Sequence, residues 1–409
     1  MHVRVMFRSV LSQWTVTAYV GLVSLVLSVA VGRAVGPAGF GEYGIGMAAG
    51  CIWAIFIDGG MSNLLRRETT RPGTTLGHLV GRLAAMSLGH AFTVALIAAL
   101  LAVSFAGSQL PLALATVGCF LGTVLVGYVS ALLRGQGRWA ADAGWQVGQR
   151  TLSAAMILGA LSVGLTAPWQ VMAVWAAASL IAVLGFPSPL RCRPELGFKF
   201  DVYKVTASLV LIELATAIYF RSDMLVLGWF DVPQQDVGQY AAAYRLFEAV
   251  IMASGPVGLL LFRRMRLFEG GQQAFRRILL LHVAVAAALG IAVALAMHAA
   301  ADLLVGWSYG PRYPDSAGLL RVICWGLVFV LPNMVLTQAA LALDRDRAYL
   351  WAACLAAVTN VAMNCALVPR LGISAAAYTT VATEAVLFIS LATSLLTQRH
   401  PAHSKEITR

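Results

Sequence analysis

The chain has 409 residues, 59% hydrophobic and 11% charged, against roughly 25% charged residues in an ordinary soluble domain, which excludes a water-soluble fold. Its formal net charge of +11 is spread in short clusters between apolar runs, with no continuous basic domain, so it speaks for membrane orientation and against a nucleic-acid partner. The six cysteines, Cys51, Cys119, Cys192, Cys324, Cys354 and Cys365, have neither CxxC nor zinc-finger spacing and read as small packing residues.

Arg4 and Arg8 precede a first apolar run ending near Arg33. That run is longer than a signal peptide's and has no small-x-small cleavage site, so it reads as an uncleaved span. A helix needs about 20 apolar residues to cross about 30 Å of hydrocarbon. Runs of that length fall at 12–33, 43–63, 80–104, 111–133, 144–166, 168–187, 205–230, 240–262, 278–300, 318–343, 348–368 and 373–396. This predicts an all-α polytopic membrane protein with about twelve transmembrane helices.

With Arg4 and Arg8 inside, every second connection is basic: Arg66/Arg67/Arg71, Arg134/Arg138, Arg191/Arg193/Lys199/Lys204, Arg263/Arg264/Arg266/Arg276/Arg277, Arg345/Arg347 and Arg399/Lys404/Arg409. The alternation places both termini in the cytoplasm. Only Arg33, Arg312, Arg321 and Arg370 fall on the other side. Pro187, Pro189 and Pro194 with mixed charge mark a linker. The expected organisation is an N-terminal six-helix lobe at 1–187, a cytoplasmic linker at 188–204, a C-terminal six-helix lobe at 205–396 and a cytoplasmic tail at 397–409. The end of the linker, Phe198 to Lys204, is expected along the interface.

The halves repeat. Gly41-x-Tyr43 and Gly238-x-Tyr240 lie 197 residues apart, and so do Arg66-Arg67 and Arg263-Arg264. An even number of helices per half makes the repeat parallel, and transporters built this way hold substrate between the halves.

Arg33-Ala34-Val35-Gly36-Pro37-Ala38-Gly39-Phe40-Gly41-Glu42-Tyr43, Asp58-Gly59-Gly60 with Leu64-Leu65-Arg66, and Arg221-Ser222-Asp223 through Val237-Gly238-Gln239-Tyr240 follow in order. After them come Tyr309-Gly310-Pro311-Arg312-Tyr313 and Asn360, Asn364, Pro369, Gly372 with Ala375-Ala376-Ala377. Together these resemble the Wzx-type polysaccharide and oligosaccharide-lipid flippases, the polysaccharide-transporter branch of the MATE/MOP superfamily. The resemblance implies two six-helix bundles in a V-shaped alternating-access carrier. It implies a cargo of lipid-linked oligosaccharide on an undecaprenyl pyrophosphate-type anchor, turned across a bacterial inner membrane for O-antigen, exopolysaccharide or capsule. Polysaccharide polymerase and export proteins are the implied partners. Lipid II flippases and several exporters carry two further helices that this sequence lacks.

Ionisable residues inside spans are costly and are functional candidates by default. Arg150, Arg221 and Arg245 are the candidate substrate contacts, because a guanidinium donates paired hydrogen bonds to a pyrophosphate. The bland alternative pairs Arg245 with Glu248, three residues on, and lets Arg221 and Asp223 reach water near the outer surface. Glu213, Asp223, Glu248 and Glu384 are candidate ion-coupling groups for a proton or sodium, or else neutralise the arginines. His90, His282 and His298 read as packing residues. Asp58 is expected to tie to Arg33, both taken as lying near the outer ends of their spans; Asn360 and Asn364 read as inter-helix hydrogen bonds, and Tyr309-Gly310-Pro311 as an outer turn.

The competing transporter is a MATE-like ion-coupled drug/cation antiporter, whose cavity should concentrate acids. A membrane glycosyltransferase or polymerase would need a large outer loop with clustered acids; the longest outer connection, around Asp302–Ser316, has no DxD or metal-ligand cluster. A structural scaffold leaves the buried arginines unexplained. The expectation is therefore a carrier and not an enzyme, with no catalytic or metal site and no cofactor besides a coupling ion.

Overall fold

With no water in the hydrocarbon to satisfy backbone groups, spanning segments must satisfy their own, which selects helices. The computed structural model describes residues 2–70, 76–185, 201–268 and 270–397, and among these no strand occurs. The first helix, α1 (His2–Asp58), holds two crossings joined at Gly36, where φ is 73°. Pro37 lacks an N–H and pushes its predecessor out of the α region. Glycine takes the left-handed turn without steric cost, and Pro37 then opens the second crossing, where a missing N–H is harmless.

After the Gly59-Gly60 turn come α2 (Met61–Thr69), α3 (Leu76–Phe105), α4 (Leu110–Gly135), α5 (Trp139–Ser162) and α6 (Pro168–Gly185). The second half contains α7 (Asp201–Trp229), α8 (Gln234–Arg266), α9 (Gln272–Ala299), α10 (Ala301–Ser308), α11 (Ser316–Ile323), α12 (Leu327–Ala342), α13 (Asp346–Leu371) and α14 (Ile373–Thr397). A 3-10 turn joins α11 to α12 into one crossing. Among the described residues nine helices are long and apolar enough to cross a membrane. One of them is the doubled α1, and α5 and α7 add two more of sufficient length, at 24 and 29 residues. Counted by length, the described residues hold twelve such helical segments, the number expected from hydropathy, and the chain is a multi-pass membrane protein.

Two bundles form. In the first, α4 packs on α2, α3, α5 and α6, and α1 on α3 to α6. In the second, α12 packs on α8, α9 and α14, and α13 on α7 and α14. Between them the contacts run from α1 to α7 and α8, and from α2 to α7. Most of the expected linker, and the tail after residue 397, lie outside the described residues, as does Cys192.

At the Gly36 end the repeat-related glycines meet. A Cβ on Gly41 would lie 2.2 Å from the Gln234 carbonyl oxygen, and one on Gly238 would lie 1.9 Å from that of Pro37. The α1 and α8 backbones touch there because neither glycine carries a side chain. Around this contact Phe40, Tyr309 and Tyr313 pack as an aromatic cluster, and the Tyr313 hydroxyl donates to the Gly32 carbonyl at 2.7 Å. Gly310 turns with φ of 81°, as the sequence suggested for Tyr309-Gly310-Pro311.

The expected tie between Arg33 and Asp58 is wrong. Arg33 donates to the carbonyls of Ser308 and Trp307, while Asp58 accepts from the hydroxyl and N–H of Ser62. The reason is length. At 1.5 Å per residue the crossing that separates the Gly36 turn from Asp58 is roughly 33 Å long, so the two side chains sit at opposite ends of the bundle.

Candidate functional site

A cavity of about 200 Å³ lies between the bundles, and its walls include Arg150, Arg221 and Arg245. Three helices deliver them: α5, α7 and α8. Ser24 and Ser28 from the first crossing of α1, Tyr43 from the second and Trp175 from α6 complete the polar and aromatic lining. An adjoining cavity of about 510 Å³ shares Arg221, Glu248 and Met252 with it and extends past Cys51, Ile212, Glu213 and Phe220. The smaller space has room for an anionic head group; the two together approach the size range of sites for larger ligands.

The arginines are not equivalent. Arg221 Nη2 lies 2.7 Å from Glu248 Oε1, and Arg245 Nη1 lies 2.5 Å from Glu248 Oε2, so one carboxylate bridges two guanidinium groups. The expected pairing of Arg245 with Glu248 is present, with Arg221 as an unforeseen third member. Arg150 is held differently: its Nη2 donates to the Ser24 hydroxyl and its guanidinium carbon lies 4.9 Å from the centre of the Trp175 ring, a cation–π contact. Its Nε is buried with no hydrogen-bond partner. Among the described residues no carboxylate pairs with it. Three guanidinium groups against one carboxylate leave the cavity with an excess of two positive charges.

Asp223 is turned away from this cavity. Two helical positions differ by 200°, so the helix that puts Arg221 into the cavity puts Asp223 inside the second bundle, where it is 3% exposed. Asp223 therefore does not reach water as the bland alternative supposed. The Tyr240 hydroxyl donates to Oδ2 at 2.7 Å, the Asn364 amide donates to Oδ1 at 2.7 Å, and the Thr380 hydroxyl lies 3.0 Å from Oδ2. Ser222 donates to Asn360 at 2.6 Å and Asn364 to the same oxygen at 2.8 Å. Asn360 and Asn364 do make the expected inter-helix bonds, and one of them anchors the acid. The Asn364 carbonyl oxygen is buried without a partner. Two hydroxyls and one amide N–H thus surround the carboxylate, and the side-chain oxygens of Asn360 and Asn364 nearby are of the kind that suits a hard cation.

Glu384 lies in the same bundle, 3% exposed. The Tyr219 hydroxyl donates to it, and the Asn333 amide donates to Oε2 at 2.9 Å. Glu213 stands apart in the larger cavity and accepts from Asn63 at 3.2 Å. The four candidate coupling acids thus fall in three environments: Glu248 among arginines, Glu213 at a cavity wall, and Asp223 and Glu384 among neutral donors. His90 bridges the Phe56 carbonyl and the Tyr203 hydroxyl, and His298 meets the Arg321 carbonyl, both packing roles.

Sequence reasoning missed Asp142, which is fully buried and accepts from Ser130, Arg134 at 2.7 Å and Gln146 at 2.8 Å. The predicted span began at residue 144, whereas α5 starts at Trp139. Ser24, Trp175, Tyr219, Asn333 and Thr380 were missed because a neutral residue in a span carries no charge signal; Tyr240 was noted only as part of a motif, without its role on Asp223.

Solved structures with the same fold include a lipid II flippase, MurJ, in an inward closed conformation, with a TM-score of 0.76 and 13% identity over 93% of this chain and 87% of that one. A MATE in complex with MaL6 matches with a TM-score of 0.64 and 13% identity, covering 95% of this chain and 96% of the other. An inward-facing multidrug resistance MATE transporter of the MOP superfamily matches with 0.63, also at 13% identity, over 94% of each chain. No curated protein sequence matches. The fold is the one these flippase and MATE structures share, as the motifs in the sequence implied. Residues 6–260 match the family model described as polysaccharide biosynthesis protein; matching more than half of the chain, it shows that the protein belongs to the polysaccharide biosynthesis protein family.

Proposed function

We propose that the protein is a flippase for lipid-linked oligosaccharide units, carrying them on an undecaprenyl pyrophosphate-type anchor across the bacterial inner membrane for surface polysaccharide synthesis, with both termini in the cytoplasm. The convergence of Arg150, Arg221 and Arg245 on one cavity between the bundles carries this reading. A buried surplus of positive charge is costly and suits an anionic passenger. The pyrophosphate would lie on the guanidinium groups, the sugars in the adjoining larger cavity and the lipid tail in the bilayer.

Asp223 and Glu384 are the stronger candidates for ion coupling. A carboxylate buried among neutral partners calls for a counter-charge, and a proton or sodium ion supplies it; at Asp223 the oxygens of Asn360, Asn364, Thr380 and Tyr240 would complete the shell. Glu248 already has two counter-charges. Polymerase and export proteins of the same pathway would act beside this carrier.

The same acids favour the second reading, an ion-coupled drug/cation antiporter, but they lie outside the central cavity, whose sign repels cations. Deleting the gene should abolish the surface polymer and leave lipid-linked oligosaccharide on the cytoplasmic face, with unchanged drug susceptibility. Intact surface polysaccharide together with drug hypersensitivity would establish the antiporter instead.

A further inference from the structure

The Glu248 carboxylate sits where the cargo's anion belongs. Its two oxygens each take one guanidinium, Oε1 from Arg221 and Oε2 from Arg245. A phosphate group offers the same two-oxygen edge and would seek the same donors. Glu248 is on α8, three residues from Arg245, and reaches across the cavity to α7. Its side chain keeps 19% of its surface exposed, facing the cavity that it divides from the larger one. Arg150, in contrast, has a vacant buried Nε and no carboxylate partner among the described residues.

Resting on the flippase reading above, we propose that Glu248 is a built-in stand-in for the diphosphate: it holds Arg221 and Arg245 in the empty carrier and is displaced from them when an anionic head group binds.

Arg150 is then the open first contact, and Arg221 and Arg245 close on the anion as Glu248 swings out. The exchange has a use at each end of the cycle. While the cavity is empty, the carboxylate keeps two buried guanidinium groups from being left without a counter-charge, which is strongly unfavourable. When cargo must leave, the carboxylate competes for the same donors and limits how tightly the anion is held, since binding that is too strong slows release. Glu248 is a positioning residue in this scheme, acting on cargo through the two arginines. A purely structural Glu248 would make the opposite prediction: removing its charge would loosen the arginines and weaken anion binding.

The test uses the full chain in lipid nanodiscs with inorganic pyrophosphate as the probe. Wild type should bind it, Arg150→Gln should bind it more weakly, and Glu248→Gln should bind it at least tenfold more tightly, with a correspondingly slower off-rate. A Glu248→Gln protein that folds and binds pyrophosphate no better than wild type overturns the proposal. Carbodiimide labelling of wild type, read by peptide mass spectrometry, decides the matter independently of how the variant folds. Pyrophosphate should raise modification of Glu248 several-fold, and unchanged or lower modification overturns the stand-in role. If neither wild type nor Glu248→Gln binds the probe, the flippase reading of the cavity fails and takes the proposal with it. If wild type binds through Arg150 but Glu248→Gln is unaltered, only the stand-in fails.

Discussion

Arg221 and Asp223 lie two residues apart on α7, one in the cavity between the bundles and the other sealed inside the second bundle. Around Arg221 the partners are charged, with Arg245 and Glu248 within reach of one another. Around Asp223 they are neutral hydroxyls and amides. The difference teaches how one helix serves two opposite electrostatic tasks: its 100° step per residue sends Arg221 into the cavity and Asp223 into the interior of the bundle. Arg221 adds to the positive surplus of the cavity between the bundles, which Glu248 only partly offsets, while the charge of Asp223 stays within one bundle and does not offset it.

The largest test of that separation is Arg150→Glu, which puts negative charge into the cavity. Losing a buried charged contact costs roughly 2–5 kcal/mol, and about 1.4 kcal/mol is tenfold. Pyrophosphate binding should fall by about 30-fold or more, and cells carrying the variant at wild-type membrane levels should lose surface polymer. Unimpaired export would break the comparison on its cationic side.

Asp223→Asn tests the other compartment. It keeps the shape and removes the charge, so stimulation of transport by a sodium or proton gradient in proteoliposomes should disappear. Pyrophosphate affinity should change less than about twofold, because changes at sites that share no partners act almost independently. An equal loss of anion binding would show that the two regions are one site.

Asn364→Ala should lower the thermal midpoint, since a buried acceptor left without its donor costs about 1–3 kcal/mol. The smallest effect is expected for Arg33→Ala, which removes bonds to two carbonyl groups in a part-exposed setting, where water can take the place of the lost donor and no buried group is left unsatisfied. A lower midpoint with unaltered pyrophosphate binding would place that residue with the contact at the Gly36 end and outside both polar regions.

Much of this architecture could be read from the chain because lipid makes the rules severe. Apolar runs mark the crossings, and their edges shifted by only a few residues in most helices, α5 being the costly exception for Asp142. Apart from Asp142, the charges discussed within spans were visible for the same reason: an arginine at position 150, 221 or 245 stands out against its apolar neighbours. That three of them meet could not be read, because it depends on how two bundles dock. Helical geometry showed that Glu213, Arg221 and Asp223 could not all face one way; it could not say which face met which neighbour. The neutral shell of Asp223 was still less legible. Tyr240 and Thr380 lie 140 residues apart, and their hydroxyls come together on one carboxylate only in the packed bundle.

The meeting of Gly41 with Gly238 has a mechanical consequence. A closure made of side chains can open by rotating a few bonds, one residue at a time, and can leak while half open. Here backbone lies on backbone, so no rotamer change parts the two helices and no small residue can be added without forcing them apart. Whatever opens that end must move whole rods, and the barrier there is set by the separation of α1 from α8 over their length. The two glycines, 197 residues apart in the sequence, thus set how near the two rods can lie.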